Sequence, residues 1–193
     1  MGVFSFETED VTPYSEPQSF AKLNFHDHLL FGYFFKAIVS TILEESQYEV
    51  TPYGYESTLP NLKRRLYGSN STEAATKLRY TPDLVVRNPD DCQVNLVEVK
   101  ARSASGSSGI RIDEMSYYQR YWAESIVVLV IRSGDHFYAQ HVNNLSPQGL
   151  YSPDDFLPLE HMFPKVENLK IDDRRNMVRK VLTLFSQRQR CNL

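Results

Sequence analysis

Three side chains in the middle of the 193-residue chain have the types and spacing to do chemistry together: Asp83, Glu98 and Lys100. Asp83 opens the apolar run Leu84-Val85-Val86-Arg87. Glu98 and Lys100 sit two apart near the end of Val94-Asn95-Leu96-Val97-Glu98-Val99-Lys100-Ala101-Arg102. Side chains two apart on a strand share a face. With Asn88-Pro89-Asp90-Asp91 as the turn between the runs, an antiparallel hairpin sets Asp83 across from the Glu98/Lys100 end. Two carboxylates and an ammonium group then converge on one point. Oxygen ligands of this kind suit a hard divalent cation such as Mg2+ or Mn2+, which keeps several waters for reaction.

The elements that have to hold this hairpin are legible on either side of it. From Asn24, a plausible N-cap, to about Ser46 the chain reads as one long helix. Phe31, Phe35, Ile38, Val39 and Ile42 form its apolar face, which should pack on a sheet. His28 lies near the middle of that face, Asp27 and Glu45 lie at its edge, and Glu44 points to solvent. Tyr48 to Tyr53 reads as a first strand, stopped by Pro52 and Gly54. Leu59 to Tyr67 reads as a short basic helix, and residues 68–72 read as a polar loop.

Beyond the hairpin, residues 103–109 are small and of low complexity. A helix follows over about 112–123, with Asp113 and Glu114 in its first turn and Tyr117, Tyr118, Gln119, Arg120, Tyr121 and Trp122 along it. Its aromatics read as half-buried core or as a surface on which bases could stack. Ile126 to Ile131 is a run of branched apolar residues, the mark of a strand buried on both faces. Residues 136–142 alternate as a strand nearer the edge, with His136 and His141 facing opposite ways. Residues 143–169 are loop-rich, and a last amphipathic helix is expected within 170–190, where seven basic side chains stand against two acidic ones.

Bulk properties narrow the class. A hydrophobic fraction of 41% and a charged fraction of 23% describe an ordinary globular protein, and the length suits one domain over 1–193, with an extended or poorly ordered, flexible arm over 1–19 and a core over 24–142. Cys92 and Cys191 form neither a disulfide framework nor a metal cage. The acidic start lacks a basic signal-peptide region, and no apolar run reaches the ~18 residues of a membrane span, so the expectation is a soluble cytoplasmic chain with no membrane partner. The formal net charge of -3 argues against nonspecific nucleic-acid binding, yet residues 61–132 hold eleven Lys/Arg against eight Asp/Glu. Two of those acids are the candidate metal ligands, so a bound cation would leave a phosphate-facing surface. Its candidate nucleic-acid contacts are Lys63, Arg64, Arg65, Arg102, Arg111, Gln119 and Arg120.

The order helix, strand, strand, strand, helix, strand, strand, with Pro82-Asp83 on the second strand and Glu98-Val99-Lys100 on the third, resembles the PD-(D/E)xK nuclease superfamily over roughly residues 24–142. Pro-Asp occurs at 82, 89 and 153, but only the first enters an apolar strand followed by an acid-x-Lys triplet. Within the superfamily the spacing, the Lys-Ala-Arg tail and the small loop after it look most like archaeal Holliday-junction resolvases and their viral relatives. The resemblance implies an α/β fold: an αβββαβ restriction-endonuclease-like core, a central mixed sheet flanked by helices, here with an extra C-terminal helix. It also implies a Mg2+- or Mn2+-dependent DNA endonuclease, acting on branched or junction DNA as a homodimer, with no small-molecule cofactor and with products that keep a 5′-phosphate. Carried over residue by residue, Asp83, Glu98 and the Val99 carbonyl would hold the metal, and Lys100 would orient water or stabilise transition-state charge.

One departure stands out. Aligning Gly32 and Phe35 with the resolvase pattern puts Lys36 where many members carry a metal-binding Glu. Either His28, Asp27 or Glu45 replaces that acid, or the strands alone build the site. The Gln-x-x-x-Tyr pattern of the exonuclease branch is half present, because Ala123 stands four residues after Gln119. The missing helix acid motivates a second reading, a nuclease-fold module that grips nucleic acid or a protein without cutting.

Overall fold

The computed structural model describes residues 25–54, 72–102, 110–131 and 137–169, together with Asp173, Asn176 and Met177. A six-stranded mixed sheet organises these residues, with helices on both faces. The elements are α1 (Phe25–Glu45), β1 (Glu49–Pro52), α2 (Glu73–Arg79), β2 (Leu84–Arg87), β3 (Val94–Arg102), β4 (Ile110–Arg111), α3 (Met115–Tyr121), β5 (Ile126–Ile131), β6 (Phe137–His141), β7 (Leu150–Tyr151), β8 (Leu157–Pro158) and α4 (Leu159–Met162). The main sheet runs β1-β2-β3-β5-β6-β8, and β4 pairs with β7 apart from it.

The polarity of the sheet follows from the connections. β1, β2 and β3 are antiparallel neighbours, whereas β3 and β5 are parallel, with Val97 opposite Ile126 and Arg102 opposite Ile131. A parallel pair needs a crossover, and α3 lies in the segment that makes it. β6 returns antiparallel to β5, and β8 closes that side.

β5 shows how one strand serves two cores. Its branched side chains alternate between faces: Ile126, Val128 and Val130 meet α1 through Phe35, Ile38, Val39 and Ile42, while Val127, Leu129 and Ile131 meet Ile112, Met115 and Tyr118 on the α3 side. All six are buried, as a continuous apolar run requires. Burying one such side chain contributes about 1.5–3 kcal/mol.

Several expectations shift. The second strand begins at Leu84 rather than Tyr80, because Tyr80 caps α2. That short helix has no counterpart among the elements expected from the sequence, although its Thr72 cap accepts the Ala75 amide and Glu73-Ala74-Ala75 favours helix. Asp113 and Glu114 precede α3 instead of forming its first turn. The loop-rich stretch hides structure too: Leu159, Phe163 and Val166 are fully buried in the α1-side core. Gly149, at φ 72°, accepts the Ile112 amide at its carbonyl, and a Cβ there would lie 2.6 Å from the Ile112 oxygen. The basic helix at 59–67, the loop at 103–109, His136 and the arm at 1–19 lie outside the described residues, as does most of the C-terminal helix. Of that last segment, Asp173, Asn176 and Met177 are helical, and Met177 packs on the α1-side core. No helix among the described residues is long and apolar enough to cross a membrane.

Candidate metal centre

Register brings the predicted acids together. Leu84 pairs with Val97, so Asp83, immediately before β2, falls opposite Glu98. The Asp83 carbonyl accepts the Tyr53 and Gly54 amides at 2.8 and 3.1 Å, pinning this corner to the end of β1. The same register, extended one residue further, would set Pro82 opposite Val99. Proline has no N–H to give the Val99 carbonyl. Instead of a backbone partner, the Val99 amide finds the Asp83 carboxylate, donating to Oδ2 at 3.1 Å. In antiparallel pairing the amide and carbonyl of one residue face the same neighbour, which directs the Val99 carbonyl toward the Asp83 edge. The Pro-Asp pair thus ends one ladder and opens a place for ligands beside it.

Glu98 and Lys100 project to the α3 side, where their β5 partners Val127 and Leu129 are buried. Glu98 is only 5% exposed. Its Oε1 accepts the Tyr118 hydroxyl at 2.6 Å and lies 2.8 Å from Lys100 Nζ. Lys100 also donates to the Tyr118 oxygen at 3.3 Å and sits 5.1 Å from the centre of its ring. Glu98 Oε2 is buried with no hydrogen-bond partner among the described residues.

The electrostatics follow from this packing. Burial, reinforced by the neighbouring Asp83, pushes the Glu98 carboxyl up to about 7 against the opposing pull of Lys100 and Tyr118. Burial alone would lower Lys100; attraction from Glu98 and Glu114 outweighs it and holds the ammonium above its ordinary value. Burial and then Glu98 raise the Tyr118 phenol well above its ordinary range, so it remains a hydrogen-bond donor.

The helix residue that reaches the site is Lys36. Its Nζ lies 2.6 Å from Asp83 Oδ1, with both side chains largely buried. Glu45 is exposed at the last position of α1, nine residues or about 13 Å further along the axis, and does not join. Asp27 and His28 are in α1, with side chains outside the described residues. Among the described residues no set of three or more His, Cys, Asp or Glu side chains forms a metal cage.

A single hard cation fits what is present. Asp83 lies near enough to Glu98 to raise its carboxyl, and a buried oxygen of Glu98 has no hydrogen-bond partner among the described residues, a setting that favours a bound cation. Asp83, Glu98 and the Val99 carbonyl would hold it.

The predicted nucleic-acid contacts divide. Arg120 is exposed and pairs with Glu73 at 3.0 Å, and Arg111 is exposed and pairs closely with Asp113. Arg102 donates to the Arg111 carbonyl at 2.8 Å, tying β3 to β4. The Gln119 amide is directed to the Val142 and Leu145 carbonyls, holding the turn after β6. Lys63, Arg64 and Arg65 lie outside the described residues.

Two participants escaped the sequence reading as such. Tyr118 carried a faint signal, the three-residue spacing from buried Met115 that turns both inward. Lys36 was visible only as a lysine where an acid was expected. No family model matches the chain, and no curated protein matches it in sequence.

Proposed function

We propose that the chain is a divalent-cation-dependent DNA endonuclease with a restriction-endonuclease-like core, hydrolysing phosphodiester bonds of branched or junction DNA. One observation carries this reading: Asp83, immediately before β2, falls opposite Glu98 of β3 beside Lys100, and a buried Glu98 oxygen has no hydrogen-bond partner among the described residues. The strand order around them, three antiparallel strands and then a parallel one after a helix, agrees with it.

When bound, a divalent cation supplies charge neutralisation at the phosphate and a water acidified toward neutral pH. The chain's own groups do the rest. Tyr118 fixes the rotamer of Glu98 through Oε1, leaving Oε2 directed away from that bond. Lys100, held charged beside Glu98, places an ammonium where negative charge grows on the phosphoryl oxygens. In-line attack forms a bond from water oxygen to phosphorus and breaks the bond to the 3′ oxygen, leaving a 5′-phosphate and a 3′-hydroxyl.

The test is cleavage of a panel of branched and linear DNAs with Mg2+ and with Mn2+. Asp83→Ala, Glu98→Ala and Lys100→Ala should each abolish cutting while far-UV circular dichroism stays native. Undiminished activity in all three would refute the assignment.

A second reading, a nuclease-fold module that binds nucleic acid without cutting, is favoured by Lys36, which occupies Asp83 Oδ1. Binding of the same DNAs with no cleavage across the metal panel would select it.

A further inference from the structure

Asp83 is satisfied entirely by the protein. Oδ1 faces Lys36 Nζ at 2.6 Å and Oδ2 takes the Val99 amide at 3.1 Å. Among the described residues Glu98 is satisfied only at Oε1, which Tyr118 and Lys100 share. The two carboxylates therefore meet two ammonium groups, Lys36 at Asp83 and Lys100 at Glu98.

A cation bound to Asp83 either shares an oxygen with one of these contacts through its second lone pair or takes that contact's place. Mg2+ sits about 2.0–2.1 Å from its oxygen ligands. An ammonium 2.6 Å from the same Oδ1 would lie against that ion with like charge. Lys36 comes from α1, on the opposite side of the hairpin from Lys100 and Tyr118, and its long stem lets the ammonium swing away while Phe35, Ile38 and Val39 stay packed. Lys100 is held differently, because it pairs with Glu98 at the oxygen that Tyr118 also holds.

We propose that Lys36 is the resident cation of this site, balancing Asp83 in the metal-free chain and competing with the divalent ion for Asp83 Oδ1. The proposal rests on the reading of Asp83 as a metal ligand. Metal affinity in the native chain is then set by the difference between two cations for one oxygen. The displaced ammonium is left at the edge of the site, free to meet an anionic oxygen of the substrate, so phosphate and metal should each favour the other's binding.

Titration of the full chain with Mn2+, following free Mn2+ by electron paramagnetic resonance, tests this without any cleavage assay. Lys36→Met should bind Mn2+ about tenfold tighter than wild type or better, within the usual range of coupling between two sites. Lys36→Arg, which keeps the charge, should stay near wild type. Adding Asp83→Asn to Lys36→Met should erase the gain, which places it at Asp83. Lys36→Gln serves as the alternative if the Met variant fails to fold. Equal or weaker Mn2+ binding in folded Lys36→Met and Lys36→Gln would overturn the proposal, and so would an absence of Mn2+ binding in every variant. Tighter binding in a chain that cuts no DNA would uphold Lys36 as the competing cation and reject the nuclease reading, so the two fail separately.

Discussion

The Tyr118 hydroxyl donates to Glu98 Oε1 at 2.6 Å, linking α3 to β3 inside the sheet's second core. This bond ties stability to the site, because the acceptor is a buried carboxylate that Lys100 also contacts. Tyr118→Phe keeps the ring and removes only the donor. It should destabilise the fold by about 1.5–3 kcal/mol, the range for a hydrogen bond to a charged group. Urea unfolding checks it, and a change below about 0.5 kcal/mol would show that the bond contributes nothing net.

Glu98 also predicts how stability depends on pH. Its carboxyl titrates at about 7 in the fold against an ordinary 4.5. An acid with a raised folded value holds its proton more tightly in the native state, so between those two values the folded chain carries more protons than the unfolded one. Stability then falls as pH rises through that window, by on the order of 3 kcal/mol in total, and levels off above it. Urea unfolding at pH 5 and pH 8 should show this fall in wild type and a shallower one in Glu98→Gln. Identical slopes in both would contradict the burial argument.

The buried residues of the proline-rich stretch should behave as core. Phe163 is fully buried and meets Tyr48 edge-on at 5.5 Å between ring centres. Phe163→Ala should cost about 3–5 kcal/mol. Thermal unfolding measures it, and a neutral result would mean that this segment does not seal the α1-side core.

If the chain grips DNA, the stacked pair Tyr80 and Tyr117 offers a surface for bases. Their rings lie 4.3 Å apart and nearly parallel, Tyr117 is 40% exposed, and Tyr80 also meets Tyr118 edge-on. Tyr117→Ala should weaken binding of a branched DNA with single-stranded arms by about 1–3 kcal/mol, with little effect on a blunt duplex. Fluorescence anisotropy at fixed salt distinguishes the two, and an equal loss on both would point to general destabilisation.

Much of this was legible in one dimension. The two-residue period of a strand put Glu98 and Lys100 on one face, the turn residues made the hairpin, the helical period exposed the face of α1, and the unbroken run 126–131 announced a strand buried on both sides. These are local properties, set by backbone geometry over a few residues. The short helix at 73–79 and the anchors Leu159, Phe163 and Val166 were also written locally, in a Thr cap and a helical spacing, but the surrounding loop signals masked them.

What the sequence by itself determined, then, is the trio Asp83, Glu98 and Lys100 and the strands that carry them. Only the tertiary structure decided their company: Lys36 on Asp83, Tyr118 on Glu98, and Gln119 turned to the backbone of the next turn. The reason is physical. Periodicity tells which face of a helix is buried but not which of its turns lands over which strand. That depends on how Phe35 and Ile38 of α1, and Met115 of α3, seat against opposite faces of the same sheet.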